Sequence, residues 1–172
     1  HVLAAERGLT QPYFSPNAEV LPEGFKDPEG YWTSFYMNPM AVAVNMPWLQ
    51  RTGAKMPETW GDLLDPAFRN QIQMPTPQSS GTAYNLVASL VLAWGEDAAF
   101  DYLKKLDANV QTYTQSGTAP SRAVAMGEVG VGIQFSPALL ELMDEGYPIT
   151  VVFPKDGVGY EAPAISIVKG GP

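Results

Sequence analysis

The stretch Asn70–Gly95, NQIQMPTPQSSGTAYNLVASLVLAWG, decides the fold. Its opening, 70–75, is a short run stopped by Pro75 and reads as a strand. A proline-spaced polar segment leads into Ser79-Ser80-Gly81-Thr82. From there Ala83, Leu86, Val87, Leu90, Val91 and Trp94 recur at i, i+3, i+4, i+7, i+8 and i+11, the stripe of an amphipathic helix, and Gly95 ends it. Two readings of Ser79–Thr82 follow. Ser and Thr are favoured helix N-caps, and a helix N-terminus is also a ready anion site. The residues leave both open.

Outward from this strand–helix pair the alternation repeats. Residues 96–108 read as a second helix, with Ala99, Tyr102, Leu103 and Leu106 on one face, and 109–114 as a strand. Residues 116–128 form a loop entering a short helix, with Pro120 in its first turn. A strand at 129–135 follows, then a helix at 136–146 with Ser136 as its cap and Gly146 as its stop, then a strand at 148–154. This predicts an α/β fold: an open, mostly parallel sheet with helices on both faces. Upstream, 8–30 is irregular and rich in Pro, Gly and charge. Residues 31–46 suggest two strands broken at Asn38-Pro39, and 56–68 a short helix with Thr59 as its cap. Residues 160–170 read as a last strand. The expected organisation is a surface segment and flanking strands over 1–46, an α/β lobe over 47–159, and a returning strand over 160–172.

Composition narrows the function. The chain has 172 residues and a net charge of −8, from 10 Lys+Arg against 18 Asp+Glu. Such a field repels nucleic acid, so a bound anion must be held by local dipoles. There is no cysteine, and His1 is the only histidine. Thiol nucleophiles, disulfides, Ser-His-Asp triads and histidine zinc sites are thereby excluded or left without material. Glu58, Asp62, Asp65, Asp97 and Asp101 form no acid–base pair, and no cofactor or metal is expected. GVGIQF and GVGYEA lack the spacing of a dinucleotide fingerprint. No run of 18 apolar residues is present. Met126 and Met143 read as core filler. Tyr31, Trp32, Phe35 and Tyr36 read as core or as an aromatic wall.

Three strand-to-helix junctions share one chemistry: Ser79-Ser80-Gly81-Thr82, Ser116-Gly117-Thr118 and Ser136-Pro137. In an open α/β sheet they fall at the carboxyl ends of the strands, where ligands bind. Hydroxyls, helix amides and two glycines make a neutral-donor site for a phosphate, phosphonate, carboxylate or other anion. Glu161, after Tyr160 in a glycine-rich turn, is either a cleft carboxylate or a solvated one.

The motifs W-G-D-L-L-D-P (60–66), S-S-G-T-A-Y (79–84), Y-L-K-K-L (102–106), S-G-T-A-P-S-R-A-V-A-M-G-E (116–128), G-Y-P (146–148) and G-Y-E (159–161) resemble, from about Leu9 to Gly170, the periplasmic solute-binding proteins of ABC importers. The branch is the ferric-iron type, with the type 2 periplasmic binding protein fold. The resemblance implies two lobes joined by hinge strands, ligand in the cleft between them, a periplasmic or lipid-anchored extracytoplasmic location and a membrane permease as partner. It implies that this chain is one lobe with its hinge strands, binding alone more weakly than about 0.1 mM by loss of half the contacts. Exposed apolar hinge surface would favour self-association. Iron binders of the family carry an adjacent tyrosine pair where Ser136-Pro137 stands, and sugar-phosphate binders a His-Asp pair where Pro137-Ala138 stands. Both departures argue against those ligands. The set left for an anion is Ser79, Ser80, Gly81, Thr82, Ser116, Gly117, Thr118 and Ser136, with Glu161 able to meet a ligand amine. An effector-sensing domain of a regulator on the same fold is the alternative.

Overall fold

The computed structural model describes residues 1–171. In chain order the helices and strands are α1 Val2–Glu6, β1 Thr10–Gln11, β2 Thr33–Ser34, β3 Asn38–Asn45, α2 Met46–Thr52, β4 Ile72–Pro75, α3 Gly81–Trp94, α4 Glu96–Asp107, β5 Val110–Thr114, α5 Ala119–Ala125, β6 Val131–Phe135, α6 Ser136–Asp144, β7 Ile149–Val152, β8 Tyr160–Glu161, β9 Ala164–Ile165 and β10 Ile167–Val168. The chain divides into two units, Pro39–Tyr160 and residues 1–38 with the chain from Glu161 onward.

In the larger unit the sheet runs β5-β4-β6-β3-β7. Strands β5 and β6 are parallel to β4, while β3 is antiparallel to both β6 and β7. Four strands therefore share a direction, which makes the sheet mostly parallel as the alternation predicts. The alternation does not foresee β3 wedged between β6 and β7. This strand, ahead of the alternating region in sequence, is buried on both faces. Met40, Val42 and Val44 join the core beneath α3 and α4, with Trp60, Leu63, Phe68, Leu86, Leu90 and Leu106. Ala41 and Ala43 join the opposite core, with Val124, Leu139 and Ile149. Helices thus cover both faces, and the small side chains of β3 let α5 and α6 approach closely.

The predicted helix 81–94 forms, and Ala83, Leu86 and Leu90 of its stripe are buried. Helix α4 places Glu96 and Asp97 in its first turn and Lys104 and Lys105 in its last, complementing the macrodipole. Asn38-Pro39 opens β3 instead of breaking the chain between two strands. Helix α2 escapes the sequence reading although its signals are present. Asn45 Oδ1 accepts from Trp48 N at 2.9 Å, Pro47 sits in the first turn, and Gly53 ends the helix at φ 69°.

The helix expected over 56–68 resolves into two 3-10 turns, Gly61–Leu64 and Pro66–Phe68. Here Asp62 accepts from Glu58 N at 2.9 Å and Thr59 N at 2.8 Å, and its own N–H donates to Thr59 Oγ1 at 3.2 Å. The Glu58 amide first, then the Thr59 hydroxyl and amide, hold the Asp62 carboxyl below the usual aspartate range. A depressed carboxylate contributes stability above its unfolded value near pH ~3.9 and loses it as pH falls through the folded value. The difference in melting temperature between wild type and Asp62→Asn is expected to be present at pH 7 and to close below about pH 4. Melting curves at both pH values check this.

The last strand expected over 160–170 is three two-residue pieces, β8, which pairs with β3, then β9 and β10. Proline at 163 removes a ladder donor. Strand β10 pairs with β1 and β9 with β2, both antiparallel. Met126 and Met143 are 67% and 38% exposed, so they are not core filler. The reason is position: Met126 follows the short α5, and Met143 lies near the end of α6.

Candidate functional site

Parallel pairing carries β4, β5 and β6 to the same edge of the sheet, so the chain leaving each emerges there. Pro75 is in register with Thr114, and Thr76 N donates to Thr114 O at 2.9 Å. The first two junctions meet at this edge. A Cβ on Gly117 would fall 2.7 Å from Thr82 Oγ1 and 3.1 Å from Ser80 Oγ. Only the missing side chain lets the 116–118 loop lie against the start of α3. Ser79 Oγ donates to Gln115 O at 3.3 Å and ties the same two segments.

The serines and threonines do not act as the caps expected of them. Ser80 occupies the N-cap position of α3 in extended backbone, is 7% exposed and makes no side-chain capping bond. The first-turn amides of Gly81, Thr82 and Ala83 therefore have no side-chain cap, at the positive end of a helix of 14 residues. Ser136 is the first residue inside α6; Phe135 holds the N-cap position, again with no side-chain capping bond. Ser136 is 2% exposed, just past the Met40–Phe135 pair that ends the β3–β6 ladder.

The second junction spends part of its polar capacity on itself. Ser116 Oγ lies 3.1 Å from Thr118 Oγ1 and accepts from Thr118 N at 3.3 Å, and Ala119 N donates to Ser116 O at 3.4 Å. Thr114 Oγ1 donates to Ser116 O at 2.8 Å and Ser121 Oγ to Thr118 O at 2.7 Å. This loop offers hydroxyls more than helix amides, and α5 is only seven residues long. The same edge is thus a cluster of neutral donors: uncapped amides from α3 and hydroxyls from both Ser-Gly-Thr segments.

Two residues absent from the sequence reading bear on this edge. Buried Gln134, 2% exposed, directs its carboxamide at the 116–118 loop. Arg122 of α5 lines a groove of about 730 Å³ with Thr118, Glu128, Glu141 and Glu145. The strand alternation of VGIQF carries the first signal, since it sets Gln134 opposite Ile133 on the face towards α5.

Glu161 belongs to the smaller unit. It is exposed, and Oε1 accepts from Asn38 Nδ2 at 2.9 Å, an engaged carboxylate. In the same unit Tyr31, Trp32 and Phe35 line an apolar groove of about 420 Å³, while Tyr36 packs on Phe35 with ring centroids 4.7 Å apart. Among the described residues, no group of three or more His, Cys, Asp or Glu could hold a metal, and no helix is long and apolar enough to cross a membrane.

Residues 2–171 match the family model described as bacterial extracellular solute-binding protein. The chain is 41% identical to an uncharacterized protein of Haemophilus influenzae, over 97% of this chain and 50% of that one. It is 28% identical to iron uptake protein A1 of Synechocystis, over 98% of this chain and 49% of the relative. Among solved structures it resembles the periplasmic binding protein AfuA of Actinobacillus pleuropneumoniae with exogenous fructose-6-phosphate bound. That likeness has a TM-score of 0.85 and 42% identity, and covers 97% of this chain and 54% of that one. The chain spans about half the length of the relatives it matches.

Proposed function

Because the chain belongs to the bacterial extracellular solute-binding protein family, with the type 2 periplasmic binding protein fold, we propose that it captures a small anionic solute for an ABC importer. The observation that carries the reading is the contact of Gly117 with Ser80 and Thr82, which brings two Ser-Gly-Thr segments to one sheet edge beside the uncapped start of α3. A phosphate or phosphonate group suits this edge. Its ionised oxygens are strong acceptors, and they meet a helix N-terminus and hydroxyl donors without needing a basic residue. The relative holding fructose-6-phosphate supports a phosphoryl group as the recognised part, while Pro137-Ala138, in place of the His-Asp pair of sugar-phosphate binders, argues against the same sugar contacts.

Ser79, Ser80, Gly81, Thr82, Ser116, Gly117, Thr118 and Ser136 make up the proposed binding edge. Ferric iron fits less well, since Ser136-Pro137 supplies no phenolate and no carboxylate cluster accompanies it among the described residues. In the complete protein, closure of two lobes about hinge strands spanning 31–46 and 160–170 would add the remaining contacts. The solute would then pass to a membrane permease on the extracytoplasmic side. The role is binding without catalysis.

Titration of the isotope-labelled chain with fructose-6-phosphate and with fructose separates the readings. The phosphate ester is expected to shift the amides of Gly81, Thr82 and Ala83, and fructose at the same concentration is not. Equal response to both sugars would remove the anion from the proposal.

A further inference from the structure

Gln134 is the one large polar side chain on the α5 face of β6. Val131 and Ile133 point into the opposite core, so Gly132 and Gln134 face α5. A Cβ at Gly132 would meet Pro120 O at 2.8 Å, which places α5 directly on this strand. One position further along, the carboxamide reaches the loop that precedes α5. With its nitrogen turned towards them, Gln134 donates to Gly117 O at 3.1 Å and Thr118 O at 3.2 Å. The turn gives up the bond of the other orientation, in which Oε1 accepts from Ser121 N at 3.3 Å, and replaces it with two. Thr118 O also accepts from Ser121 Oγ at 2.7 Å, so the bond to Gly117 O is the one Gln134 alone supplies, and a buried carboxamide facing carbonyls with its oxygen would be costly.

We propose that Gln134 is the positioning residue of the anion edge: it holds the Gly117 and Thr118 carbonyls inward and so sets where the Ser116 and Thr118 hydroxyls point. The role rests on the anion-binding reading for its consequence, but not for its geometry. Of the loop residues it touches, Gly117 also lies against Ser80 and Thr82, so a shift at Gly117 reaches the start of α3. The groups against the carboxamide are uncharged. The 115–118 loop has no ionisable side chain, and Arg122, the only charged residue of α5, is exposed.

The test uses Gln134→Glu and Gln134→Met, read by amide spectra and by titration with sulfate, whose charge is constant from pH 5 to pH 8. In Gln134→Glu a carboxylate faces two carbonyls, so its ionised form should displace the loop and its protonated form restore a donor. Expected are displaced Thr118, Ala119 and Ser121 amide signals at pH 8 that return towards wild type by pH 5. Sulfate affinity should weaken about tenfold at pH 8 and recover in parallel. Gln134→Met, of similar shape, should show the displaced signals and weaker sulfate binding at every pH. It decides the matter if the Glu variant does not fold at pH 8. Wild-type loop signals in both variants would overturn the proposal, as would wild-type sulfate affinity in both. If wild type itself ignores sulfate, the anion reading fails, and the loop signals alone then decide whether Gln134 positions this segment.

Discussion

Replacing Gly130 by alanine lowers the melting temperature of the chain by about 10 °C. Gly130 sits at the start of β6, where Asn45 N donates to its carbonyl at 2.9 Å. A Cβ there would lie 2.4–2.6 Å from three atoms of the Trp48 indole, far inside van der Waals contact. Trp48 cannot swing aside. It is 4% exposed and stacked on Phe68 with centroids 5.7 Å apart, and its backbone N–H is held by the Asn45 side chain that starts α2. Overpacking of this kind costs about 3 kcal/mol or more when neither partner is flexible. For a domain of this size each kcal/mol is worth about 2–4 °C. Thermal unfolding followed by circular dichroism measures the shift. A change under about 2 °C would mean that α2 is not seated on β6 as described.

Replacing Gly117 by valine is expected to remove binding at the proposed anion edge with little loss of stability. The added side chain must displace Thr82 Oγ1 and Ser80 Oγ, which would stand 2.7 and 3.1 Å from its first carbon. Pushing the 116–118 loop off α3 separates hydroxyls and amides that must converge within hydrogen-bond reach of one anion. Loss of two charge-assisted bonds corresponds to a factor of about 100 or more in affinity. Gly117 lies between exposed Ser116 and exposed Thr118 at the sheet rim, away from the cores beneath α3 and α5, so melting temperature should change little. Titration with fructose-6-phosphate beside a melting curve checks both halves. Unchanged affinity would separate the loop from the binding edge, and a large melting loss would make Gly117 a folding residue.

The parts of the fold legible in the sequence are those governed by local periodicity. Ala83, Leu86 and Leu90 announce α3 because a helix lying on a sheet buries one stripe, and Gly95, at φ 85°, supplies the left-handed residue that ends it. The four strands that share a direction follow from the strand–helix alternation, since a helical crossover returns the chain to the same edge. The place of β3 was hidden. Residues 38–45 read as a strand from composition, but nothing local says that it inserts between β6 and β7 against their direction. That choice is made by long-range packing, with Ala41 and Ala43 admitting α5 and α6.

The candidate edge shows the same division. The hydroxyl-rich junctions and their strand-end location were readable from Ser79–Thr82 and Ser116–Thr118. Their contact through Gly117 was not, because it depends on the register of β4 against β5. Nor was the diversion of Ser116 and Ser121 into local hydrogen bonds, or the failure of Ser80 and Ser136 to cap. Ser136 in particular is carried one residue into α6, because β6 continues through Phe135. Gln134 carried no chemical signature. Its meaning comes from Gly132, whose bare backbone brings Pro120 and α5 down onto the strand.

Whether an anion is held by neutral donors where the two Ser-Gly-Thr segments meet is tested most directly by mapping amide shifts of the labelled wild-type chain during titration with inorganic phosphate, with Gly117→Val as the reference. Saturable shifts concentrated at Gly81, Thr82, Ala83 and Gly117, and absent in the variant, are expected. Shifts scattered over the exposed lysines and arginines, or equal in the two proteins, would contradict binding at this edge.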